Sequence, residues 1–215
     1  MATIYATNDG RVINFETTNW TDTRDATSGN TAIVATGGTT FSSEACRVSA
    51  VAGRGGTTYA ISRGFFQFNT THITHVPKSA TFLVYGYYYG AVGGMYGVKS
   101  IHDASLSTND FDAIEGWQTG GVDNSSNLIN YTNIVSSWDT SGYNTFTLNQ
   151  QALVDIAGTT EFKIAILNNT NDVRGAEPSG NYRTGWYFPN YIGTSLDPKL
   201  VIVEQDNSVF FGTNF

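Results

Sequence analysis

Short apolar runs alternate with polar residues along the chain and are broken repeatedly by glycine-bearing turns. Residues 57–69, TTYAISRGFFQFN, give the clearest strand, with Phe66 and Phe68 on one face and Phe65 and Gln67 on the other. Val76-Pro77-Lys78-Ser79 then reads as a turn, because proline fixes φ and offers no ladder donor. Residues 80–90, ATFLVYGYYYG, are apolar on both faces, as in a central strand covered on each side or one that presents a binding face. Residues 95–101, 143–148, 161–167, 185–188 and 199–203 complete the strong strand candidates. Upstream, apolar patches at 12–15, 32–35 and 46–51 are separated by polar punctuation, and Asp9-Gly10 carries a hairpin signal. One helix is expected: Asn149 as cap, Ala152, Leu153 and Ile156 on one stripe, and Gly158 as the stop. Residues 103–130 lack periodicity and read as a long loop with a short element near 111–117, and 168–183 as a second loop. Loops of that length in a compact domain are commonly functional or touch a partner.

Roughly ten short strands, one short helix and glycine-rich turns predict an all-β sandwich. No regular repeat is visible, which argues against a propeller or solenoid. The order of pieces adds a resemblance. Its carriers are Phe66 and Phe68 before a polar residue, the proline turn, residues 80–85, Trp138, and Pro198-Lys199-Leu200-Val201-Ile202-Val203. Together they resemble the jelly-roll module of the DNRLRE type, which is itself similar to some carbohydrate-binding modules. Asn69 stands where that family often has Asp, and residues 1–55 have no counterpart in it. The resemblance implies a jelly-roll β-sandwich over residues 56–205, with 1–55 packing on or extending it and 206–215 as a tail. It also implies a setting among bacteriophage structural proteins or bacterial glycan-binding proteins.

Composition narrows the function classes. The chain has 215 residues, of which only 13% are charged, about half the usual share. Net charge is -7, and the 11 basic residues form no run, which disfavours nucleic acid and anionic membrane as partners. No apolar stretch reaches the ~18 residues of a membrane span, and the first residues show no signal-peptide pattern. Cys46 stands alone, so neither an internal disulfide nor a cysteine metal site is expected.

Candidate chemistry is sparse. His72 and His75 would share a face only on a helix, and their segment reads as loop. His102-Asp103 near Ser105 lacks the nucleophile-elbow context of a hydrolase. The glycine pairs at 53–56 and 93–94 lack a phosphate-cradle ending and read as turns. Asp110, Asp112 and Glu115 could offer oxygens to Ca²⁺, with Asp22 and Asp25 as a second set; no other cofactor is expected. The aromatics are the stronger signal. Tyr85, Tyr87 and Tyr89 share a strand face, with Tyr88 opposite, and Trp117 lies in the long loop. That face is core, a protein interface or, with Trp117, a glycan platform. Phe210, Phe211 and Phe215 follow the last strand with little charge around them and are candidate subunit-interface residues.

The resulting expectation is a non-catalytic virion protein of a bacteriophage, a capsid decoration or a tail or fibre component. Its partners would be other virion proteins or copies of itself. The alternative is a carbohydrate-binding module that meets host glycans through its aromatics.

Overall fold

Backbone pairing in the computed structural model is antiparallel throughout, and its described residues are 1–16, 18–34, 41–90, 93–188 and 195–205. Eleven strands are found among them: β1 (Ala2–Tyr5), β2 (Asn8–Glu16), β3 (Thr31–Val34), β4 (Phe41–Gly53), β5 (Gly56–Asn69), β6 (Ser79–Gly90), β7 (Met95–Lys99), β8 (Tyr143–Thr147), β9 (Glu161–Asn168), β10 (Asn181–Tyr187) and β11 (Lys199–Val203). The helices are α1 (Trp20–Arg24) and α2 (Gln150–Gly158), with a 3-10 turn at Thr108–Asp110 and a π turn at Asn169–Val173.

The expected all-β sandwich is present. One sheet is ordered β1-β11-β6-β8, and the facing one runs β7-β9-β5-β2-β3. The long strands serve twice. β5 pairs with β4 along its first half and with β9 along its second, while β2 lies along its other edge. β6 holds β11 and β8 as far as Tyr85 and then pairs with β10 through Gly86–Gly90. β10 continues the path to β4. At the N-terminal end of the chain β1 edges the first sheet, and β2, β3 and β4 build the second.

Between the sheets lies an apolar core. Phe82, Val84, Phe146, Leu200 and Ile202 on one side meet Phe66, Phe68, Phe162, Ile164 and Ile166 on the other. Phe82 is central to it, with ring centroids 4.9 Å from Phe66, 5.6 Å from Phe68 and 5.7 Å from Phe146. Trp186 joins this core over Gly64, where any Cβ would collide with the indole.

The other face of the second sheet is also covered, by chain that the hydrophobic pattern marked as loop. Val12, Val48, Ile61, Phe65, Val98 and Leu167 form a second core with Leu106, Phe111, Ile114 and Leu128 from the long excursion, and with Trp20 and Val173. The excursion is thus a third layer laid on the sheet.

Three local expectations change. Asp9-Gly10 lies inside β2, not at a hairpin, because Gly10 lets the strand approach the Ile33 carbonyl and the Leu106 side chain where a Cβ would clash. The helix starts as expected, with the Asn149 side chain accepting from the Ala152 amide at 3.1 Å, but it includes Gly158 and is capped by Thr159. The presumed loop 168–183 opens on the π turn, and β10 begins at Asn181, ahead of the expected 185.

Candidate functional site

Strand periodicity builds the site. Phe82 and Val84 point into the inter-sheet core, so Tyr85 and Tyr87 fall on the outer face, but a bulge between Gly86 and Tyr88 breaks the alternation and places Tyr89 across from buried Thr184, off the face that the sequence assigned it to. Tyr85 is half-buried, while Tyr87 and Tyr89 are 38% and 37% exposed. Register adds two more tyrosines. Tyr143 of β8 lies directly across from Tyr85, and Tyr187 at the end of β10 comes alongside. Tyr85 packs edge-to-face on Tyr143 at 5.3 Å and on Tyr187 at 5.6 Å, and Tyr87 packs on Tyr187 at 5.6 Å. Their interplanar angles are 82°, 76° and 84°.

Hydroxyl groups pin this face. Tyr85 donates to the Ser141 carbonyl and Tyr143 to the Ser195 carbonyl at 2.7 Å, while Tyr89, past the bulge, donates to the Ser136 carbonyl at 3.2 Å. The Lys199 ammonium sits 3.9 Å from the Tyr143 ring centroid. Burial raises the Tyr143 pKa, against the pull of Lys199, so the hydroxyl stays a donor at neutral pH. Beyond the bulge Tyr88 is the residue paired with Gly185, on the Tyr187 side of β10, where it lies under the Arg183 guanidinium at 5.0 Å. Beside the tyrosines, at the open edge of β8, is a groove of about 480 Å³ lined by Trp138, Asp139, Tyr143, Asn144 and Thr145 with Val135 and Ser137. That size lies within the range of ligand sites. The result is a rigid, mostly uncharged, corrugated aromatic surface. Tyr143, Tyr187 and Trp138 were not legible as members, because strand pairing and not local sequence brings them to Tyr85.

The long-loop tryptophan has a different fate. Trp117 is half-buried against the second core, with the Arg24 guanidinium 4.7 Å and that of Arg63 4.0 Å from its ring. Among the described contacts it meets none of the tyrosines, so the glycan platform expected from Tyr85, Tyr87, Tyr89 and Trp117 together does not assemble as one surface. Arg63 makes a two-pronged pair with Asp172, at 3.0 and 2.8 Å, and donates to the carbonyls of Phe111 at 2.7 Å and Arg24 at 2.8 Å. Arg24 reaches the carbonyls of Asp172, Val122 and Val173, and pairs with Asp25 at 2.8 Å. Burial lowers the Arg24 pKa, while Asp172 and Asp25 support the charged form.

The acidic candidates do not converge on a cation. Both Asp110 oxygens are engaged by local chain: one accepts from the Asp103 amide at 2.7 Å, the other from the Ser107 amide at 2.7 Å and its hydroxyl at 3.0 Å. This is the capping box of the 3-10 turn. Asp112 is half-buried with its pKa raised by burial, and Glu115 is half-buried nearby in sequence. Asp25 serves Arg24, and Asp22 is exposed. Among the described residues no three His, Cys, Asp or Glu side chains are placed to hold a metal.

His72 and His75 lie on an exposed loop. His102 is buried against Phe65 at 5.4 Å, with Nδ1 2.7 Å from the Ser100 hydroxyl, and Ser105 is exposed elsewhere on the loop. Ser100 Oγ donates to the Ala113 carbonyl at 2.9 Å, so its proton ties the loop layer down. Burial and Lys163 depress the His102 pKa to about 4, which keeps the ring neutral. A second cleft, about 370 Å³ between β7, β9 and α2, holds Lys99 and Lys163, but their charges are met within it by Asp155 at 3.3 Å and Glu161 at 3.7 Å. Phe210, Phe211 and Phe215 lie outside the described residues.

No protein-family model matches the chain. No curated protein is similar to it either.

Proposed function

We propose that the chain is a non-catalytic structural protein that acts by seating protein neighbours on its tyrosine face. A bacteriophage particle is the setting that its resemblance to jelly-roll modules suggests, with a place in capsid decoration or in the tail or fibre. The observation that carries the reading is the mutual tilt of the neighbouring tyrosine rings, 76° to 84°. Rings set edge-to-face leave ridges and slots, which interdigitate with protein side chains. A row of sugar rings lying flat would need neighbouring faces in one plane. The pinned hydroxyls support the same reading, since an ordered surface loses little side-chain entropy on association.

The runner-up is carbohydrate binding, favoured by the groove beside Tyr143, where Trp138, Asp139 and Asn144 combine an aromatic wall with polar groups. One experiment separates the two. The chain and its Tyr85→Ser/Tyr87→Ser variant are weighed by light scattering over a concentration series and applied to a glycan array. Association that weakens in the variant supports the structural reading. A monomer that binds sugars and loses them in the variant overturns it.

A further inference from the structure

The first sheet ends in two open edges that match each other. β8 pairs with β6, and the ladder is continued by the Gly86 amide donating to the Gly142 carbonyl at 2.9 Å and the Leu148 amide to the Ala80 carbonyl at 3.1 Å. An antiparallel ladder spends both backbone groups of every second residue on one neighbour. Asn144 and Phe146 therefore face β6, and Tyr143 and Thr145 direct their N–H and C=O groups away from it. The excursion covers the far end of this edge: the Asn149 amide donates to the Tyr131 carbonyl at 2.8 Å, and Thr132 bridges to Leu148. It then leaves β8, and Val135 exchanges two bonds with Met95 of β7, at 2.8 and 2.9 Å. The groove beside Tyr143 and Thr145 is the space left open. At the opposite edge, β1 pairs with β11 from Ala2 opposite Ile202 to Tyr5 opposite Lys199, and the Ala6 amide continues that ladder to the Pro198 carbonyl at 3.0 Å. By the same alternation Ile4 faces β11, while the backbone groups of Thr3 and Tyr5 point outward. Among the described residues nothing pairs with the outward groups of Thr3, Tyr5, Tyr143 or Thr145.

We infer that β1 of one copy pairs with β8 of a second copy, Thr3 opposite Thr145 and Tyr5 opposite Tyr143, so that the first sheet runs on from copy to copy. Strand sense argues for this partner. The order β1-β11-β6-β8 is antiparallel at every step, so β1 and β8 run in opposite directions, and two copies in the same orientation meet as an antiparallel pair. In that register each of the two opposed pairs exchanges both of its backbone bonds. The faces agree as well: Thr3, Tyr5 and Thr145 have exposed side chains, whereas Ile4, Asn144 and Phe146 are buried on the core side. Neither strand, Ala2-Thr-Ile-Tyr5 nor Tyr143-Asn-Thr-Phe-Thr147, carries a proline or a charge, the devices that keep edges apart. In a chain of net charge -7, a single acidic residue there would have served that end. The β7 edge of the second sheet is closed by Val135 and by the Tyr131 amide, which donates to the Gly97 carbonyl at 2.9 Å. β3 edges the second sheet, and joining it to β8 would set one sandwich a layer, about 10 Å, out of line with the next. Because the two edges differ, the contact is heterologous, and its repeats build a ring or a filament. It goes beyond the seating of neighbours on the tyrosine face, which it borders at Tyr143.

The test is complementation between two chains, each lacking one edge. Thr3→Pro and Thr145→Pro each remove an N–H that points out of the sheet, a place where proline leaves the chain's own ladder intact. Circular dichroism and urea midpoints close to those of the parent establish that each is folded; if either is not, Thr3→Asp and Thr145→Asp take their place, since both side chains are exposed. Light scattering up to the millimolar range should show a weight-average mass that rises with concentration for the parent, and the mass of a monomer for each variant. An equimolar mixture should give a capped pair of two chains and nothing larger. In the associated parent, hydrogen exchange should slow at the amides of Thr3, Tyr5, Tyr143 and Thr145 and stay unchanged at Asn144 and Phe146. A parent that is a monomer throughout overturns the inference, as does a mixture that stays monomeric. Association lost in only one of the two variants would place a different strand on that edge and overturn it too. If both edge variants keep the parent's mass profile while Tyr85→Ser/Tyr87→Ser loses it, the edge contact fails and the reading of the tyrosine face survives.

Discussion

The two faces of the second sheet are buried by different physics. Its inner face meets another sheet, and the core there is Phe66, Phe68, Phe82, Phe146, Phe162 and aliphatic neighbours. Its outer face meets irregular chain, and the contact between them holds two fully buried arginines, two buried aspartates and a buried histidine besides its apolar residues. Sheets satisfy their own backbone in ladders, so sheet against sheet needs only shape and apolar area. A loop brings carbonyls with no ladder partner, and Arg24 and Arg63 supply the donors: Phe111, Val122, Asp172, Val173 and Arg24 itself all present carbonyls to a guanidinium. The charge in that layer is thus the means by which an aperiodic segment is buried at all.

Breaking each core at its centre should show the contrast most strongly. Arg63→Met leaves Asp172 and two carbonyls without donors, and should cost about 3–5 kcal/mol in urea unfolding. Phe82→Ala should cost a similar 3–5 kcal/mol by opening a cavity. Hydrogen exchange separates the two. The arginine change should expose amides of 103–130 while β5, β6 and β11 remain protected, and the phenylalanine change should lower protection on both sheets. Exchange that rises uniformly in both variants would mean that the loop layer is no separate unit.

Removing the charged pair whole is the next test. In Arg63→Met/Asp172→Leu no ion is left unpaired, but the carbonyls of Phe111 and Arg24 still lack a donor. A residual loss of about 1–3 kcal/mol is expected. Full recovery would show that the arginine is held for the aspartate alone and not for the loop backbone.

Acid should loosen the outer layer. His102 has a folded pKa of about 4 against an ordinary 6.5, so protonation favours the unfolded chain. The stability it contributes is complete above pH 6.5 and is lost as pH falls through 4, up to roughly 3 kcal/mol. His102→Gln should flatten that part of the urea-midpoint profile, and an unchanged profile would assign the loss to other groups.

The smallest effect concerns a polar intruder beside Phe66. Asp9 is buried across from it, with Oδ2 unpaired and its pKa raised by burial and by Asp197. A raised carboxyl contributes stability at low pH and loses it as pH climbs above the ordinary value of 3.8. Asp9→Asn should therefore stabilise the chain at pH 7 by about 1 kcal/mol, with the gain shrinking in acid. A loss at pH 7 would show that the carboxylate has a stabilising partner there.

Much of the fold was legible because strands of period two announce their buried face locally. Phe66 and Phe68, the run through Phe82 and Val84, and the capped helix at Asn149 are read from neighbours in sequence and sit where that reading places them. The tyrosine face was half legible. Tyr85 and Tyr87 follow from alternation on one strand, Tyr89 does not because a bulge after Gly86 breaks the period, and Tyr143 and Tyr187 join only through pairing register. Gly10 was misread because its role is close approach across strands, which leaves the same mark in sequence as a turn.

The amino-acid order by itself determined which segments extend, which one coils and which side of each strand avoids water, since those depend on residues a few places apart. Only the folded arrangement decided that residues 103–130 lie down as a layer, that Trp117 goes beneath two guanidiniums, and that Tyr143 and Tyr187 join Tyr85 and Tyr87 on one outer surface. Those outcomes depend on groups distant in sequence, such as Arg63 with Phe111 and Asp172, which hold aperiodic chain through its backbone and leave no local pattern to read.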